Sequence, residues 1–89
     1  MSESIEMTRR EAFKCIDLML SDADLEGLDY GYGRRLLKGG ELGLCFREIF
    51  FMAKAHLPFL HKWEVEIQSL NTYFSADPYM VKHCGFPLK

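Results

Sequence analysis

Between Glu41 and Leu57 the chain carries apolar side chains at most angular positions of a helix. Leu42, Cys45, Phe46, Ile49, Met52, Ala53 and His56 keep the spacing of one face, while Leu44, Phe50, Phe51 and Leu57 add apolar surface outside it. A helix apolar around most of its circumference is the buried centre of a fold, or it faces a partner. The chain has 89 residues, one domain's worth, so a single helical domain over 1–89 is expected. A domain of this size buries only part of its unfolded surface. The expected fold is therefore all-α: a compact bundle of four or five short helices around a central apolar helix at about 41–57. Pro58 pushes Leu57 away from the α region, which sets the expected end of that helix.

Local signals place the other helices. Thr8-Arg9-Arg10-Glu11 has capping-box spacing, and Phe13, Ile16, Leu20 and Ala23 follow as a stripe widened by Ala12, Cys15 and Met19. The first helix is expected from about 8 to 21 or slightly beyond, with residues 1–6 frayed. A weaker helix over about 29–38 ends at Gly39-Gly40, with Arg34, Arg35 and Lys38 near its C-terminus. Residues 62–74 satisfy two periods. Trp63, Val65 and Ile67 alternate as in a strand, whereas Trp63, Ile67, Leu70 and Phe74 repeat as in a helix. A lone strand is not stable in water, so the helix is preferred, with those four side chains packed inward. Asp77-Pro78 reads as an N-cap followed by proline in the first turn of a short helix that stops at Gly85.

Charge is unevenly spread. Residues 1–29 hold three cations against eight carboxylates, residues 30–62 six against two, and residues 63–89 two against three. Such a chain either neutralises itself on folding or presents a bipolar surface to a charged partner. The odd count of three cysteines gives no disulfide framework, and the acidic start has no signal-peptide pattern. No apolar run approaches a membrane span. The expected compartment is the cytoplasm, without membrane contact, with Cys15, Cys45 and Cys84 as small buried hydrophobes.

Motifs for chemistry fall short. Asp22-x-Asp24-x-Glu26-Gly27 begins like a calcium loop, but the twelfth position is Gly33, which offers no ligand. His56, His61, His83, Cys45 and Cys84 have no metal-site spacing. Gly31-x-Gly33 lacks the third glycine of a dinucleotide loop, there is no nucleophile elbow, and Glu64 and Glu66 do not share a helix face. No catalytic, metal or cofactor site is expected.

The expected function is a small protein–protein interaction module, an adaptor or inhibitor of the kind a phage or mobile element encodes, with a homodimer as one form of association. Eleven Phe and Tyr residues plus Trp63 exceed what so short a chain needs inside, and surplus aromatics suit interface cores. The candidate docking residues are Leu44, Phe50, Phe51 and Leu57, rimmed by Arg47 and Lys54. The alternative is a nucleic-acid-binding regulator using the basic 34–54 region, with Arg34, Arg35 and Lys38 beside Tyr30 and Tyr32. A negative net charge and a strongly apolar third helix argue against it.

Overall fold

The computed structural model describes residues 7–28 and 31–89. They form six helices and no strand: α1 (Arg9–Leu25), α2 (Gly31–Lys38), α3 (Leu42–Lys54), α4 (Leu57–Lys62), α5 (Glu64–Ser75) and α6 (Pro78–Cys84). The fold is an all-α bundle, with one helix more than the four or five expected. Helix α3 is its centre and touches each of the other five. The expectations for residues 1–6 and for the first two residues of the second helix lie outside the described residues.

Caps fix the ends as the sequence foretells. The Glu11 N–H donates to Thr8 Oγ1 (3.1 Å) and the Thr8 N–H donates to Glu11 Oε1 (2.9 Å), closing the capping box. Asp77 accepts from the Tyr79 N–H (2.9 Å) at the start of α6. Gly85 then adopts the left-handed conformation at φ 77°, which turns the chain so that Phe86 enters the core.

The central helix ends earlier than Pro58 implies. It stops at Lys54, where Ala55 and His56 donate to Met52 and Ala53 (3.0 and 2.9 Å) and tighten the last turn. His56 leaves the helical region at φ −134°, ψ 82°. Pro58 then lies in the first turn of α4, where a missing N–H removes no helical bond. The proline opens a new helix rather than closing the old one, so Leu57 belongs to α4. The helix expected over 62–74 is also split. Trp63 closes α4 and caps α5, and the strand alternative is not adopted. Ile67, Leu70 and Phe74 pack inward as their spacing requires, while Trp63 is only half-buried.

The core is built around Phe46, fully buried on α3. Its ring lies 5.8 Å from Phe74 of α5, 6.0 Å from Phe86 and 6.3 Å from Phe50. Helix α1 contributes Ala12, Ile16, Met19, Leu20 and Ala23. Phe13, placed in the core by the sequence stripe, is instead 43% exposed. The buried face is turned toward Ala12, which is fully buried.

Candidate functional site

The outer face of α3 carries most of the residues the sequence assigned to docking. Leu44, Arg47, Phe51 and Lys54 recur at three- and four-residue intervals, which sets them along one side of the helix. Phe51 is 46% exposed. The Arg47 guanidinium lies 5.7 Å from the centre of its ring, a cation–π arrangement that covers one side of the phenyl. Leu44 is partly buried against the core. Leu57 is 55% exposed, but it opens α4 instead of extending the α3 stripe.

Phe50 is the correction to that set. It is buried, 9% exposed, and packs on Phe46 and on the edge of Phe51 (6.0 Å). Adjacent helical residues point about 100° apart, so Phe50 and Phe51 divide between inside and outside. Lys54 reaches over the Phe50 ring (5.4 Å) while its ammonium donates to the Lys89 carbonyl (2.7 Å). That cation seals the core edge as well as bordering the exposed stripe.

The residues of the nucleic-acid alternative are only partly available. Arg34 is held by α1: its Nη2 and Nε donate to Asp24 Oδ2 (2.7 and 3.2 Å), and Nη1 lies 3.9 Å from Asp17. Arg35, Lys38 and Tyr32 are exposed on α2, and Tyr30 lies outside the described residues. The acidic first third and the basic middle thus neutralise each other in part.

A second charge link was hidden from the sequence. Asp22, in the last turns of α1, accepts from Lys62 Nζ at Oδ1 (2.7 Å) and from the Trp63 indole N–H at Oδ2 (2.8 Å). It ties α1 to the α4–α5 bend. Only the general need of a half-buried indole for an acceptor hinted at it. The hydrogen bonds from Lys62 and then Trp63 hold the Asp22 carboxyl below its ordinary 3.8. A carboxyl depressed in the folded state adds stability above its unfolded value and loses it as pH falls through the folded one. The contribution is therefore flat above about pH 5 and declines below about pH 4. Asp22→Asn should cost on the order of 1 kcal/mol at pH 7. In urea titrations its deficit against the wild type should shrink as pH is lowered from 5 to 3; a deficit independent of pH would dissociate the link from the carboxylate charge.

Cys45 and Cys15 are poor nucleophiles. Burial, with a smaller contribution from Glu48, pushes Cys45 up to about 12, and its Sγ contacts the Gly33 carbonyl (3.1 Å). Burial, then Glu66, pushes Cys15 up to about 11. Both stay protonated at neutral pH. Among the described residues no cluster of His, Cys, Asp or Glu is arranged to hold a metal ion, and no helix is long and apolar enough to cross a membrane. No protein-family model matches the chain, and no curated protein or solved structure matches it either.

Proposed function

We propose that this protein is a protein–protein interaction module, an adaptor or an inhibitor, that docks a partner through the outer face of α3. The observation that carries the proposal is Phe51. Its ring stays half in solvent on the helix whose opposite face forms the centre of the core, beside Leu44 and flanked by Arg47 and Lys54. A large aromatic with an adjacent arginine is the composition of an interface hot spot. A cationic margin favours a partner whose own contact rim is acidic. Leu57 is a separate exposed apolar residue at the start of α4. A second copy of the chain is the simplest partner to examine, since the molecule carries both an acidic and a basic segment.

The test compares wild type with Phe51→Glu in two measurements: sedimentation of the purified protein, and quantitative recovery of bound proteins from the source cells. The variant should retain the wild-type helical circular dichroism and lose at least about tenfold of one specific association, a hot-spot loss of about 1.4 kcal/mol or more. Recovery of the same partners and the same oligomeric state by both proteins would remove the basis for the proposal. If Arg35→Ala with Lys38→Ala abolishes the activity while Phe51→Glu keeps it, the nucleic-acid alternative takes its place.

A further inference from the structure

Sequence arithmetic assigns α1 to the acidic third of the chain, yet its first two turns carry Arg9, Arg10 and Lys14. With Phe13 and Leu42 these three cations line a groove of about 390 Å³ between α1 and the start of α3. Arg9 is set in place by the backbone: its Nη2 donates to the Gly40 carbonyl (3.0 Å), which the left-handed Gly40 (φ 79°) presents at the α2–α3 turn. Arg10 and Lys14 are one helical turn apart and exposed, and neither has an ion-pair partner among the described residues. Like charges at that spacing repel, by a few tenths of a kcal/mol. Of the neighbouring carboxylates, Glu11 is engaged in the capping box and Asp17 lies 3.9 Å from Arg34. Three cations therefore surround an apolar floor, in a chain whose net charge is −2. The groove is separate from the docking stripe. Leu42 and Phe51 are nine residues apart, which is half a revolution around α3.

We infer that this groove binds an acidic peptide segment, with one apolar side chain seated on the exposed Phe13 ring and flanking carboxylates paired to Arg9, Arg10 and Lys14. Charge complementarity selects the acidic flanks, because among the described residues no carboxylate lines the groove to repel them. The floor selects the anchor. Its accessible part is the Phe13 ring, 43% exposed, while Leu42 is buried. The inference does not depend on the α3 stripe, and the two sites respond to different substitutions.

The probe is a fluorescein-labelled nonapeptide, Gly-Asp-Glu-Asp-Phe-Asp-Glu-Asp-Gly, titrated with the full-length protein by fluorescence anisotropy. Saturable binding is expected, weakening at least about tenfold between 50 and 300 mM salt as the Debye length falls. Replacing the central Phe of the peptide by Gly, or the protein's Phe13 by Ser, should each weaken binding at least about fivefold. Arg10→Glu with Lys14→Glu should abolish it while leaving the circular dichroism and melting temperature unchanged, since both positions are exposed. Phe51→Glu should bind the peptide as the wild type does. The inference fails if a dodecathymidylate binds more tightly than the peptide, if the double charge reversal leaves peptide affinity intact, or if millimolar peptide does not saturate the protein.

Discussion

Phe46→Ala should destabilise the protein by about 3–5 kcal/mol, the usual range for truncating a fully buried phenylalanine. Phe46 belongs at the top of that range. It lies within 6.3 Å of three other rings, from α3, α5 and the segment after α6, and aromatic pairs add to plain area burial. The ring joins elements far apart in sequence, so a cavity there cannot be filled by a local adjustment. Native stabilities run to about 5–15 kcal/mol, so the loss removes a third or more of the total. For a domain of this length each kcal/mol shifts the melting temperature by about 4–8 °C. The variant should therefore melt at least about 12 °C below the wild type, as read by circular dichroism at 222 nm. A shift under a few degrees would place Phe46 outside the core.

What the sequence revealed was what depends on near neighbours. The Thr8–Glu11 box and the Asp77–Pro78 start of α6 are each complete within four residues, and both form as read. The apolar girth of residues 41–57 pointed to a central helix, and α3, though it ends at Lys54, is central. Pro58 was ambiguous for a physical reason. Proline is equally at home just after one helix and in the first turn of the next, and only the short turn through Ala55 and His56 decides between them. Phe13 and Ala12 offered α1 two faces one residue apart. The larger ring suggested the core, but it is Ala12 that is buried and Phe13 that is exposed.

The surface was legible only in part. The spacing that placed Phe50 and Phe51 outside the main stripe of α3 could not say which of them the neighbouring helices would cover. The Asp22–Lys62–Trp63 link spans about forty residues, and the Arg9–Gly40 contact that shapes the groove spans thirty-one. Neither has a local signature. Counting charge by thirds of the chain hid the groove, because its cations share that third with Asp17, Asp22, Asp24 and Glu26, which folding pairs with Arg34 and Lys62.

Phe50→Glu should unfold or nearly unfold the protein. The substitution removes a ring that packs on Phe46, again a loss of about 3–5 kcal/mol, and places a carboxylate where the ring was. Lys54 lies one turn away and would pair with it, but an exposed pair at that spacing returns only about 0.3–0.5 kcal/mol. Phe51→Glu removes a ring whose outer half is already in water and sets a carboxylate beside Arg47, so its effect on stability should stay within about 1 kcal/mol. The central claim is that α3 holds the core with one side and leaves the other open for a partner. Urea unfolding of Phe50→Glu beside Phe51→Glu, at one pH and salt concentration, tests that division most directly. The account predicts a collapse of the unfolding midpoint for the first and a midpoint close to wild type for the second. Equal destabilisation by both, or tolerance of both, would contradict it.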